Sequence, residues 1–301
     1  MKFKTAFIAV LMTLAVCAAG ICASETAQPR DDERYRFEER FEADLSGVNQ
    51  VGIEITNGSI DIEIWSNEWI EIVVDERIRA ESEAEAEEIA EMVRLVGEQT
   101  GSTLQISVDR GSLSRQEYGR RYSGSLEVKL PARLALNIIT TNGSIGIPGM
   151  SGDVTAHTTN GTIELEGCGG DAELSTTNGN ITAGAVAGEL DADTTNGNLR
   201  LECAGGPVSG HTTNGNVRVS ITGALGGDVE LSTTNGSIDL TVGEGSGFRL
   251  EADVGNGRVR DSLAGFQGEY NRRHTHLEGT YGDGRHSVTL NTTNGSIEIQ
   301  D

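Results

Sequence analysis

The sequence predicts an all-β protein: a β-solenoid of stacked two-strand rungs, with one inserted α-helix in an N-terminal cap region. Three observations predict it. The dipeptide Asn-Gly recurs at Asn57, Asn142, Asn160, Asn178, Asn196, Asn214, Asn235, Asn256 and Asn294, 18 residues apart from Asn142 to Asn214 and 21 apart for the next two steps. Repetition at a fixed period marks stacked architectures. Short alternations follow each Asn-Gly, as in Ile163-Glu164-Leu165 and Val217-Arg218-Val219, and a second alternation precedes it, as in Ala172 to Thr176. Period two places successive side chains on opposite faces of a strand. Glycine-rich stretches such as Gly167 to Gly170 and Gly223 to Gly227 separate the alternations and read as corners.

One such unit cannot bury its own apolar face, whereas stacked units can. Rungs about 4.8 Å apart would make the eight from Asn142 to Asn294 about 40 Å tall. In that register Ile163, Ile181, Leu199, Val217 and Ile238 form one buried column, and Thr158, Thr176, Thr194 and Thr212 another. The asparagines Asn142, Asn160, Asn178, Asn196, Asn214, Asn235, Asn256 and Asn294 form a third, expected to be buried. Each amide there is expected to donate to the next rung and accept from the last. The glycine after each asparagine is expected to supply a tight turn. An antiparallel meander is the competing fold, because Asn-Gly also signals type I′ hairpins. A meander gives no reason for an 18-residue metronome or for the repeated pair of threonines. Two cysteines lie in the repeat, Cys168 and Cys203, two units apart. With one unit per turn they sit about 10 Å apart, too far to bridge, so both are expected as free thiols.

At the start, Lys2 and Lys4 precede an apolar run from Ala6 to Val16 and small residues from Ala18 to Ala23. That is the layout of a secretory leader over residues 1–23, too short to span a bilayer. Cleavage is expected after Ala23, with Ala19 and Gly20 as alternatives; Cys17 and Cys22 are poor lipidation sites because Val16 and Ile21 are bulky. No later segment is apolar for long enough to be a membrane helix. Residues 24–33 read as a flexible lead and 34–133 as a cap region. Tyr35, Phe37, Phe41 and Ala43 alternate as a first strand, 51–64 resembles an isolated early rung, and 69–78 continues as strand. Ser82-x-x-Glu85 is a capping box, with Ile89, Val93 and Val96 at helical spacing, so 82–96 is expected as an amphipathic helix ending at Gly97. Its acidic side (Glu83, Glu87, Glu88, Glu91) reads as a solvated face, and the helix as a cover for an open sheet end. Strands are expected near 103–108 and 125–130, joined by a loop carrying Arg115, Tyr118, Arg120, Arg121 and Tyr122, and this loop at 115–122 is a candidate contact surface. The solenoid proper occupies 134–301, with an insertion at about 258–288.

That insertion holds Phe266, Tyr270, Arg272, Arg273, His274, His276 and Tyr281, whereas no aromatic residue lies between Tyr122 and Phe248. Aromatics with arginine anchor interfaces, so the segment is a candidate contact surface; a loop closing over the last rungs is the blander reading. The repeated TTNGSI, TTNGTI and TTNGNI rungs, the leader and the acidic inserted helix resemble the bacterial "putative adhesin" family of β-strand-repeat proteins of unknown function. The resemblance spans roughly 40–301 and implies a right-handed parallel β-helix at the cell envelope. It transfers a location better than a mechanism.

The formal charge is −23, and loss of Lys2 and Lys4 with the leader makes it −25, leaving Lys129 as the sole lysine. Such a surface repels nucleic acid, which excludes DNA binding. His274-x-His276 is a weak metal pair without a third placed ligand. Ser175, Asp193 and His211 fall in one outward column, flanked by His157 and Ser232, but no nucleophile elbow or oxyanion hole accompanies them. Outward carboxylates (Glu164, Glu173, Asp191, Asp239) are scattered, with no aromatic platform for sugar. No catalytic residue, cofactor or metal is therefore expected. The sequence reads as a non-catalytic envelope scaffold or adhesion surface, in the periplasm or on the cell surface, whose partner is an envelope protein or glycan. The rivals are a carbohydrate-active enzyme on a parallel β-helix and an accessory to envelope-stress signalling.

Overall fold

The computed structural model describes residues 3–5 and 34–301. Apart from Phe3–Thr5, a short strand running parallel to Arg34–Asp44, the expected leader and the polar lead lie outside the described residues. The chain divides into two units, 1–146 and 147–301.

In the unit 147–301 each repeat forms two strands. Those ending in Thr-Thr-Asn (Val154–Asn160, Ala172–Asn178, Leu190–Asn196, Val208–Asn214 and Val229–Asn235) pair in parallel, with threonine over threonine and asparagine over asparagine. Those after Asn-Gly (Ile163–Leu165, Ile181–Val186, Leu199–Cys203, Val217–Ile221 and Ile238–Thr241) form a second parallel sheet. This is a β-solenoid with two strands per turn. The column Ile163, Ile181, Leu199, Val217 and Ile238 is buried throughout. Thr158, Thr176, Thr194, Thr212 and Thr233 form a second buried column. Thr176, Thr194, Thr212 and Thr233 each donate a hydroxyl hydrogen bond of 2.9–3.0 Å to the carbonyl of the Asn-Gly glycine one rung before. A buried hydroxyl and a buried carbonyl thus satisfy one another, which explains the first threonine of each pair.

The glycine after each asparagine has a different role from the expected tight turn. Of the Asn-Gly glycines only Gly58 and Gly257 have positive φ, and none of the asparagines does. A type I′ turn needs positive φ at both residues, so no hairpin forms here. Instead the corners stack backbone on backbone. A Cβ on Gly179, Gly197, Gly215, Gly236 or Gly295 would lie 1.8–1.9 Å from the carbonyl oxygen of the glycine one rung away. Glycine is required by close approach of successive rungs.

The rungs do not stack in sequence order at the C-terminal end. Phe248–Asn256 and Val259–Asp261 form the outer rung. The last segment, His286–Asn294 with Ile297–Gln300, fills the place between it and the rung of Val229–Asn235. The expected order Asn235, Asn256, Asn294 is therefore corrected to Asn235, Asn294, Asn256. Val254 and Gly255 stand where interior rungs carry their two threonines, which fits an end rung. Cys168 and Cys203 are free and buried. Val186 lies between them in the ladder, one rung from each.

In the unit 1–146 the strands Gln50–Glu54 and Ile60–Ile64 form an early rung, paired in parallel with Ala135–Ile139 and with Ile145–Ile147 respectively. On their other sides lie Thr103–Asp109 and Tyr122–Leu130. Long antiparallel strands, Trp69–Arg79 and Arg34–Asp44, continue beyond Tyr122–Leu130. The expected helix is present as Glu83–Met92, capped by Ser82. It stops short of Val96 because Arg94–Thr100 pairs as a hairpin strand with Thr103–Asp109. The stretch taken for a loop is a second helix, Arg115–Arg121, so the expectation of a single helix is corrected. Ser114 and Glu117 close a capping box on it. Its Tyr118 and the following Tyr122 are buried and stacked at 5.1 Å. They pack with Tyr35, Phe37, Ile78, Ile89 and Val93 in one cluster.

Candidate functional site

The outward column of the Thr-Thr-Asn sheet is the first place to look for chemistry. Parallel register brings His157, Ser175, Asp193, His211 and Ser232 onto five successive rungs. The column continues through Asn291 and Asp253, and antiparallel pairing sets His276 beside Asp253. His157 Nδ1 and Ser175 Oγ are in hydrogen-bond contact. His211 lies between two serines, 2.8 Å from Ser232 Oγ through Nδ1 and 3.1 Å from Ser209 Oγ through Nε2. Both ring nitrogens of His211 are occupied by hydroxyls, so Asp193 does not orient it as the acid of a triad would. Burial lifts the Asp193 carboxyl above the usual carboxylate range, and the neighbouring Asp191 adds to this. The column lines an open groove of about 440 Å³ walled by threonines. Stacked polar side chains bonded along a ladder can present a surface; the arrangement has no nucleophile–base–acid relay.

Within the unit 147–301 an asparagine ladder runs from Asn160 to Asn256 and lies on the surface. The amides of Asn178, Asn196, Asn214, Asn235, Asn294 and Asn256 each donate at 2.9 Å to the Oδ1 of the preceding rung. In the unit 1–146, Asn142 donates at 2.8 Å to Asn57. Two expectations are corrected here. Asn142, Asn160, Asn178, Asn196, Asn214, Asn235, Asn256 and Asn294 are exposed, not buried. From Asn178 to Asn256 each donates to the preceding rung, and all but Asn256, on the outer rung, accept from the following one.

In the insertion, Gln267–Tyr270 and His276–Tyr281 form a hairpin, and the second strand pairs antiparallel with Phe248–Asn256. Most of its aromatic residues are used inside it. Phe266 lies over Gly268 and Gly279, where a Cβ would meet its ring at 2.3–2.5 Å. Tyr270 hydrogen-bonds Asp261, and burial together with that carboxylate pushes its hydroxyl pKa up to about 12. Tyr281 packs against Phe248 at 5.2 Å and donates to Asp301 at 2.9 Å. His276 Nδ1 bonds Asp253 at 2.8 Å, and His274, at φ 56°, lies against Tyr270 at 4.7 Å. The tip is an Asx turn: Asn271 Oδ1 accepts from the amides of Arg273 and Thr275 at 3.1 and 2.9 Å. Arg272 and Arg273 are exposed on it. His274 and His276 gain no third ligand, and no metal-binding group of three is found among the described residues. No helix among them is long and apolar enough to cross a membrane.

A family model described as Toastrack DUF4097 matches residues 51–300. The chain belongs to the Toastrack DUF4097 family. No curated protein matches it. Solved structures that resemble this Toastrack chain include a "putative cell adhesion protein" from Clostridium sporogenes, 14% identical over 88% of this chain and 99% of that one, at a TM-score of 0.27. Another is a "putative adhesin" from Bacteroides fragilis, 13% identical over 87% and 96%, at 0.37. A third is a "putative lipid binding protein" from Parabacteroides distasonis, 13% identical over 87% and 96%, at 0.28.

Proposed function

We propose that this Toastrack chain is an exported, non-catalytic interaction scaffold of the cell envelope, in the periplasm or on the cell surface, whose partner is a protein or glycan. The solenoid is a rigid display surface, and its coil is right-handed, as parallel strand–crossover–strand connections nearly always are. One observation carries the reading: the hairpin tip at 271–275 is held rigid by Asn271 while it presents Arg272 and Arg273 to solvent. A rigid tip loses little entropy on binding, and two arginines on a strongly acidic chain suit an acidic partner group. The polar column supports the non-catalytic part, since the hydrogen bonds of His157 and His211 are with serine hydroxyls and none is with a carboxylate that would complete a triad.

Crosslinking from intact envelopes with wild type and an Arg272→Ser/Arg273→Ser variant tests this. Replacing the whole insertion would also remove the buried Leu277, so the double substitution is the cleaner variant. A partner captured by wild type and lost in the variant is the expected result. Equal capture by both, or saccharide release by the purified protein, would overturn the reading.

A further inference from the structure

The unit 1–146 contains an open, solvent-facing cavity of about 920 Å³ that the scaffold reading leaves without a task. Five arginines line it: Arg34, Arg77, Arg79, Arg120 and Arg121. The antiparallel strands Arg34–Asp44 and Trp69–Arg79 place Arg34 directly opposite Arg79, and Arg36 opposite Arg77. The last turn of the helix Arg115–Arg121 adds Arg120 and Arg121. Like charges directly opposite across a strand pair destabilise it, so the local sequence concentrates positive charge against its own stability.

The carboxylates around the cavity do not neutralise this cluster. Arg36 and Arg77 share Asp75 at 2.9 and 3.1 Å, and Arg121 pairs with Glu85. No described carboxylate lies within ion-pair distance of Arg34, Arg79 or Arg120. The acids on the lining are Glu81, Glu85 and Glu117. Two of them are turned toward their own helix starts: Glu85 accepts from the Glu81 amide at 2.8 Å, and Glu117 from the Ser114 amide at 3.1 Å. A chain with 46 acidic residues offers carboxylates widely, yet three guanidiniums at one cavity take none. The remaining lining is chiefly hydroxyl, amide and glycine, including Ser59, Ser123 and Ser125, with no apolar trough for a hydrocarbon chain.

We propose that this cavity binds the phosphate group of an anionic ligand, carried either by a soluble phosphorylated compound or by the headgroup of an acidic lipid. Planar guanidiniums give phosphate oxygens paired, charge-assisted hydrogen bonds, and a tetrahedral dianion accepts from several at once. The net negative charge of the chain does not forbid this. At a Debye length of about 10 Å in 0.1 M salt, an anion in the cavity meets the local cluster and little of the distant surface.

Titration of the full chain with inorganic pyrophosphate, at low and then at physiological salt, tests the site. Saturable binding is expected. An Arg79→Gln/Arg120→Gln variant, with melting temperature unchanged, is expected to bind about tenfold more weakly or worse, as loss of charge-assisted hydrogen bonds requires. An Arg200→Gln/Arg249→Gln variant removes the same charge from exposed positions of the other unit and is expected to bind as wild type does. Cosedimentation with phosphatidylglycerol vesicles but not phosphatidylcholine vesicles, lost in Arg79→Gln/Arg120→Gln, assigns the lipid source. Pyrophosphate binding without cosedimentation assigns the soluble one. The proposal fails if wild type binds neither probe at low salt, or if both double variants weaken binding equally.

Discussion

At the scale of single residues, the stack explains which glycines matter. A Cβ on Gly215 would lie 1.8 Å from the Gly197 oxygen, whereas one on Gly149 meets nothing within 4 Å. Gly215→Ala must push two rungs apart and break the parallel ladder on both sides. It is expected to cost about 3 kcal/mol or more, while Gly149→Ala stays within about 0.5 kcal/mol. Thermal or urea denaturation of the two variants measures the difference, and equal effects would refute the stacked-corner account. The thiols give a second residue-scale prediction. Burial raises both, Cys168 above the ordinary thiol range and Cys203 to about 11. Since the thiolate is the nucleophile, neither is expected to react with a thiol reagent at pH 8 until the chain is denatured, and reaction at the native rate of an exposed thiol would contradict the burial. The Asn-Gly spacing announced the solenoid, but the glycine's purpose was hidden. A turn glycine and a close-approach glycine look identical in one dimension.

At the scale of elements, legibility followed how local the forces are. The helix Glu83–Met92 was readable from its cap, but its end was not, because pairing of Arg94–Thr100 with Thr103–Asp109 overrode the spacing of Val93 and Val96. The helix Arg115–Arg121 carried the same signal, Ser114-x-x-Glu117, in a stretch too short and too basic to show an apolar period. Its arginines therefore read as loop residues, and the cavity they help line could not be seen without knowing that Arg34 faces Arg79. The insertion hairpin was legible as a departure in composition, while its aromatic residues proved to be internal fastenings. One of these makes a pH prediction. The phenol of Tyr270 titrates near 12 in the fold and near 10 in an unfolded chain. Below pH 10 it is protonated in both states and has no effect. Between 10 and 12 the unfolded form releases the proton and the folded form keeps it, so stability falls as pH rises. Wild type should lose more stability across that window than Tyr270→Phe, as denaturant titration at pH 9 and pH 11.5 would register. Parallel slopes for the two proteins would exclude a contribution from this phenol.

At the scale of the chain, the rungs are not laid down in the order in which they are stacked. The segment 286–300 fills the place between the rung of Val229–Asn235 and the rung of Phe248–Asn256. A sequence reading assumes neighbours in the chain are neighbours in the stack, which this exchange violates. A signal was nevertheless present: Thr292 and Thr293 match the interior pattern, and Val254 and Gly255 do not. Thr292 donates at 2.8 Å to the Gly236 carbonyl, whereas valine in its place has no hydroxyl to give. Removal of residues 286–301 therefore should not merely shorten the solenoid. The outer rung would lose its parallel partner strands, and it could close the gap onto Val229–Asn235 only by leaving the Gly236 carbonyl without its donor, at about 1–3 kcal/mol. Its hairpin pairs with Phe248–Asn256 and is bonded to Asp261 through Tyr270, so it would be released with that rung. Hydrogen exchange of the truncated chain is expected to lose protection over 248–281 while the interior strands from Val154 to Ile221 keep theirs, because stability in a stack is chiefly a nearest-neighbour property. Retained protection at 248–261 would mean that the outer rung docks directly on Val229–Asn235, and that the exchanged order is a preference of the full chain rather than a requirement of its end rung.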